Sequence, residues 1–139
     1  MISNETGWVL PSYVADAESE LCQQAHIHPS KVIIIIKKRN RYVSKHWISK
    51  GNRNIPSGAY KMDMKTIIVR IGRKTSMADF RFVLAHELGH LKQHLEAGIL
   101  ITAGDYRKKY QQPEKYANRF ALLTCNCYPK SEYRISRIK

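Results

Sequence analysis

Ser76-Met77-Ala78-Asp79-Phe80-Arg81-Phe82-Val83-Leu84-Ala85-His86-Glu87-Leu88-Gly89-His90-Leu91-Lys92-Gln93-His94-Leu95 is the stretch on which the fold turns. Phe80, Leu84, Leu88, Leu91 and Leu95 recur at about 100° per residue, which predicts one apolar stripe along an amphipathic helix. Ser76, followed three residues later by Asp79, resembles a capping box with Asp in place of the usual Glu, and Gly98 supplies a stop. Beside the stripe stand His86, Glu87 and His90 in the spacing HExxH. Four residues make slightly more than one helical turn, so both imidazoles project from one side, about 6 Å apart along the axis, and can converge on one zinc ion. Glu87 sits next to them without being a ligand. There it can take a proton from a zinc-activated water and pass it to a leaving amine, the role of a catalytic base.

Outward from this helix, the chain changes period. Pro11 and Ser12 open a helix to about Gln24, with Val14, Ala17, Leu21 and Cys22 at helical spacing. Val32 to Lys37 is rich in β-branched residues and predicts a strand buried on both faces, with Arg39-Asn40 turning into a second strand from Tyr42 to Ile48. A loop from Ser49 to Gly58 is marked by Gly51, Asn52, Asn54 and Pro56, and strands follow at Ala59 to Met62 and Thr66 to Ile71. After an irregular stretch from about Gly98 to Gln112, Pro113 suits the first turn of a further helix running to about Thr124, with Ala117 and Ala121 open to a close neighbour. The chain therefore divides into an N-terminal helical segment (1–30), a basic β region (31–72), the two site helices (73–126) and a basic tail (127–139), all within one domain.

A length of 139 residues supports a single hydrophobic core. The longest aliphatic run, Val32 to Ile36, is far short of the roughly 20 residues that span a bilayer, and the first residues lack the form of a secretory signal. The expectation is a cytoplasmic protein with no membrane partner. Cys22, Cys125 and Cys127 are odd in number and lack framework spacing, so inert reduced thiols are expected, although Cys125-x-Cys127 has the composition of half a metal site. The formal charge is +13, and no acidic residue lies between Glu20 and Asp63. In that interval Lys31, Lys37, Lys38, Arg39, Arg41, Lys45, Lys50, Arg53 and Lys61 accumulate, with Tyr42 and Trp47 available to stack on bases. Such a stretch favours nucleic acid or an acidic protein, or else is a solvated face.

Zinc needs a third protein ligand and an open position. His94 continues the i, i+4 series, but on a straight helix it lies about 12 Å along the axis from His86, too far for one ion. Glu96 holds the place of the third metzincin ligand, yet Gln93 replaces the Gly at which that helix breaks. Glu114, opening the next helix, can face the first helix across the site. With it the sequence resembles a known family: Phe82-Val83-Leu84-Ala85-His86-Glu87-Leu88-Gly89-His90, then His94, then Glu114-Lys115-Tyr116-Ala117-Asn118-Arg119-Phe120-Ala121 is similar to the HELGHxxxH and ExxANxFA motifs of the ImmA/IrrE metallopeptidases of bacteria and phages. The likeness covers roughly residues 58 to 123. It implies His86, His90 and Glu114 as ligands of one zinc per chain, Glu87 as base, His94 as a non-ligand, and Asn118 as either a packing residue or an orienter of the site. After Ala121 the sequence departs from the family's Leu-Leu-Met-Pro type of ending.

The fold expected is α/β (α+β) of the minimal gluzincin type: a small twisted sheet of three or four strands packed on the HExxH helix, with the Glu114 helix beside it. In such proteases an edge strand takes the substrate as an added strand, and Thr66 to Ile71 is the candidate edge. Tyr60, Tyr106, Tyr110 and Tyr116 are candidates for stabilising an oxyanion. The resemblance implies limited proteolysis of a regulatory protein such as a phage or mobile-element repressor. The rival readings are a basic nucleic-acid-binding regulator with structural zinc, and a toxin–antitoxin component using the fold for interaction.

Overall fold

A computed structural model describes residues 1–39, 54–97 and 111–131. Four strands, β1 (Ile2–Asn4), β2 (Ile33–Lys38), β3 (Ser57–Lys61) and β4 (Thr66–Ile71), form one sheet in the order β1-β2-β4-β3. The first three in that order run parallel, and β3 lies antiparallel on β4. Helices α1 (Ser12–Ala25), α2 (Met77–Ala97) and α3 (Gln111–Arg119) complete the α/β fold. The expected strand at Tyr42 to Ile48 lies outside the described residues.

Registered pairs show where the core sits. Ile34 faces Ile67 and Ile36 faces Val69 across β2 and β4, and all four are fully buried. Phe80, Leu84, Leu88 and Leu91 of α2 and Val14, Ala17 and Leu21 of α1 are buried in the same core. Each such large aliphatic side chain contributes about 1.5–3 kcal/mol through removal from water. Leu95, assigned to the α2 stripe from its spacing, is instead 41% exposed, because the helix outruns the core by its last turn.

Several expectations change. β4 is not an edge. It is hydrogen-bonded on both sides, and among the described residues the edge strand beside α2 is β3. The near-continuous apolar run of β4, buried at five of its six positions, is what an interior strand of a parallel sheet requires. β2 alternates between buried and partly exposed positions, so one face of it enters the core rather than both. β3 begins at Ser57, inside the stretch expected to be loop. The last helix does not continue as α-helix to Thr124: after Arg119 it widens into a π-helical turn, Phe120–Thr124, closed by the Cys125 N–H donating to the Phe120 carbonyl at 3.0 Å.

Ser76 caps α2 as its spacing suggests, its Oγ accepting from the Asp79 N–H at 3.1 Å. Asp79 also bonds the Ser76 side chain and reaches further. Its carboxylate accepts from Lys130 N at 2.7 Å, Ser131 N at 2.9 Å and Ser131 Oγ at 2.6 Å, tying the end of the described chain to the start of α2. Burial alone would raise this carboxyl, but those hydrogen bonds outweigh it and hold the group below the usual carboxylate range. Cys22, Cys125 and Cys127 are free and buried. Burial pushes Cys22 to about 11 and Cys125 to about 12, which keeps both as thiols at ordinary pH. No helix among the described residues is long and apolar enough to cross a membrane.

Candidate metal centre

α2 presents His86 and His90 one turn apart, with Nε2 atoms 3.1 Å from each other. α3 brings Glu114 to the same point: Oε2 lies 3.2 Å from His86 Nε2 and Oε1 lies 3.0 Å from His90 Nε2. Gly89 is why α3 can come this close. A Cβ there would stand 3.0 Å from Ala117 Cα and 3.1 Å from Phe120 Cβ, so the missing side chain is the space into which α3 packs, one turn beyond Glu114. Ala117, anticipated as a small packing residue, is fully buried at this contact.

The second helix also orients the first histidine. His86 Nδ1 lies 2.8 Å from Asn118 Oδ1, an arrangement in which the ring N–H donates to the amide oxygen. That bond fixes the ring so that Nε2 points towards Glu114 and His90. Asn118 therefore supports the site directly as well as packing.

Two carboxylates share the centre, and their environments push them apart. Burial would raise Glu114, but the hydrogen bonds and positive charge offered by His86 and His90 hold it far below the ordinary carboxylate range, so it is an anion. Glu87 is raised, first by its burial and further by the Glu114 charge, against the lowering influence of the two histidines. Burial would lower His86, yet Glu114, Glu87 and Asn118 together raise it. Glu87 also lies in the cluster, with one carboxylate oxygen within 4.8 Å of a nitrogen of each histidine, but Glu114 is closer and ionised.

Whether these donors fit zinc can be checked from their spacing. Zinc–nitrogen and zinc–oxygen bonds of about 2.0–2.1 Å in a tetrahedron imply ligand–ligand edges of about 3.3–3.4 Å. The His86–His90 edge is 3.1 Å, and the two Glu114 oxygens stand 3.2 and 3.0 Å from one histidine each, so the donors need only a small adjustment. Two imidazole nitrogens and one carboxylate are also a known donor set for a catalytic zinc site.

The sheet edge forms one wall. A Cβ on Gly58 would lie 2.7 Å from Val83 Cγ1, 2.8 Å from Glu87 Cγ and 3.0 Å from Glu87 Oε1, so the β3 backbone roofs the Glu87 side chain. Two residues on, the Tyr60 hydroxyl is hydrogen-bonded to His94 Nδ1 at 2.6 Å and accepts from the Met64 N–H at 3.1 Å. His94 is buried in that contact rather than joined to the Glu114 cluster, as the distance along the helix requires. Gly58, Gly89 and the Tyr60–His94 pair were not singled out as site-building from the sequence. Gly58 reads as the end of a loop and Gly89 as a position within the HExxH helix, and a contact spanning 34 residues leaves no local trace. Of the tyrosines considered for an oxyanion, Tyr60 is engaged as described, Tyr116 bonds Glu96 and stacks on Phe120, and Tyr106 and Tyr110 lie outside the described residues.

Comparison with known proteins agrees with the motif. No curated protein and no solved structure gives a significant match. The Peptidase_M78 model, described as the IrrE N-terminal-like domain, matches residues 44–133, which include every residue of the metal centre and most of the sheet edge beside it. With that match extending over well more than half of the sequence, the chain belongs to the Peptidase_M78 family, the metallopeptidases of the IrrE N-terminal-like type.

Proposed function

We propose that this chain is a zinc-dependent endopeptidase performing limited proteolysis of a regulatory protein, such as the repressor of a phage or mobile element. One observation carries the reading: His86 Nε2, His90 Nε2 and the Glu114 carboxylate meet within 3.2 Å, beside a second carboxylate, Glu87, of opposite proton affinity. His86, His90 and Glu114 hold the metal. When bound, zinc supplies Lewis acidity towards a water and the scissile carbonyl.

The chain's own residues do the rest. Glu114 provides the fixed negative charge, and Asn118 keeps the His86 Nε2 facing inward. Glu87, whose burial raises its affinity for a proton, accepts the proton of the attacking water at a carboxylate oxygen and returns it to the leaving amine. The β3 backbone across Gly58 excludes solvent from one side of that carboxylate. On its outer side β3 has no neighbouring strand among the described residues, which suits an extended substrate segment added antiparallel or parallel to the edge.

The test is Glu87→Gln against the protein encoded beside this one, with cleavage followed by mass spectrometry. The variant is expected to hold wild-type zinc and to lose hydrolysis by about 10²–10⁴-fold. Wild-type cleavage by a folded, zinc-loaded variant would overturn the mechanism.

A further inference from the structure

Among the described residues, the cations of the acid-free interval sit at two opposite ends of the sheet. Lys31 and Lys61 lie where β2 and β4 begin, since Lys61 pairs with Thr66 and Lys31 precedes Ile33. Lys37 and Lys38 lie at the opposite end, where β2 finishes beside Ile71. There they meet two other segments. The turn after β4 brings Arg73 and Lys74, and the loop after β1 brings Trp8. Lys38 Nζ stands 5.3 Å from the Trp8 ring centroid and the Arg73 guanidinium carbon 4.6 Å from it, so two cations share one ring and lie within about 10 Å of each other. The loop carrying the ring is fixed in turn: Asn4 Nδ2 donates to the Trp8 carbonyl at 2.6 Å, and the Trp8 N–H donates to Thr6 Oγ1 at 2.9 Å.

Unlike a salt bridge, a cation–π contact orients a cation without cancelling its charge. Among the described residues Lys38, Arg73 and Lys74 make no ion pair with a carboxylate, and all three are exposed. Glu5 is the acid at this rim, 3.7 Å from Lys37. We infer that this rim, at the carboxyl ends of the three parallel strands, binds the phosphate backbone of a nucleic-acid duplex through Lys38, Arg73 and Lys74. A protein partner would call for an apolar, aromatic centre to the patch, whereas here the exposed charged groups are cationic apart from Glu5, Val9 is the exposed apolar side chain, and the aromatic ring is already covered by cations. This site is separate from the metal centre and stands whether or not the protein cuts a peptide.

The experiment is anisotropy of a fluorescein-labelled DNA duplex of mixed sequence, titrated with the full chain across a salt series. Each phosphate contact contributes about 0.9 to the slope of log affinity against log salt. Lys38→Gln/Arg73→Gln is expected to lower that slope by about two. Lys31→Gln/Lys61→Gln, which removes equal charge at the other end of the sheet, is expected to leave it unchanged. Circular dichroism and zinc content check that each variant is folded. If the rim double variant fails to fold, Lys74→Gln at its exposed turn must by itself lower the slope by about one. Equal losses in both double variants would reduce the rim to a diffuse field and overturn the site. So would absence of binding by the wild type at low salt, or displacement of the duplex by polyglutamate as effective as by unlabelled DNA.

Discussion

Gly89→Ala tests how the centre is assembled, because it leaves every ligand in place. The added Cβ would stand 3.0 Å from Ala117 Cα and 3.1 Å from Phe120 Cβ. Contacting carbons settle at about 3.5–4.0 Å, so α3 has to withdraw by roughly 0.5–1 Å. Neither opposing atom is the tip of a flexible side chain, so the backbone itself must move. Replacing Gly in a helix gains about 1 kcal/mol and overpacking costs about 1–3 kcal/mol, so stability should fall by no more than about 2 kcal/mol. Zinc affinity should suffer more. Glu114 and Asn118 ride on α3, and displacing such supporting groups lowers metal affinity by about 10–100-fold. Competition with a fluorescent zinc chelator measures the affinity, and thermal unfolding of the zinc-free protein measures the stability. A folded variant holding zinc within twofold of wild type would refute the account of Gly89 as the clearance for α3.

Other outcomes follow from the same contacts. Glu114→Ala should abolish stoichiometric zinc binding while His94→Ala leaves it nearly unchanged, as read by metal analysis after dialysis; the reverse result would remove Glu114 from the ligand set. Gly58→Ala should spare zinc binding and reduce kcat on the cleaved substrate by about 10-fold or more, since the new methyl meets Glu87 Cγ; an unchanged kcat would mean that β3 does not position the base. Asp79→Asn should destabilise the protein by on the order of 1–2 kcal/mol at neutral pH. Because the folded Asp79 pKa is lowered, its contribution is present above the ordinary Asp value and is lost as pH falls through the folded one. Denaturant midpoints of wild type and variant should therefore converge in strong acid, and a gap that persisted there would exclude the carboxylate as its source.

The parts legible in the sequence were those written locally. α2 has three turns of regular apolar spacing and a capping serine, and HExxH places two imidazoles on one side by helix geometry alone. Glu114 needed more than geometry: the spacing of the second motif pointed to it, and the fold brings it to the histidines across α3. The sheet was less readable because strand order is decided by pairing between distant segments. Three residues of β1 carry no measurable period, and Gly58 reads as a loop residue until the helix packed against it is known. The edge was misassigned although a clue was present, since Thr66 to Ile71 is too uniformly apolar for a strand open to water.

The outer side of β3, which has no neighbouring strand among the described residues, has a consequence for the protein's life in solution. An unpaired strand border is a template for any extended chain, including another copy of itself. At the opposite border the sheet ends in a strand of only three residues, β1, which offers little to grip. β3 offers five, and its central Ala59 and neighbouring Gly58 present little bulk to fend off a newcomer. The feature that suits an added substrate strand thus also exposes the protein to sticking to its own kind, and Lys61 at the strand's end is the charge best placed to discourage that pairing.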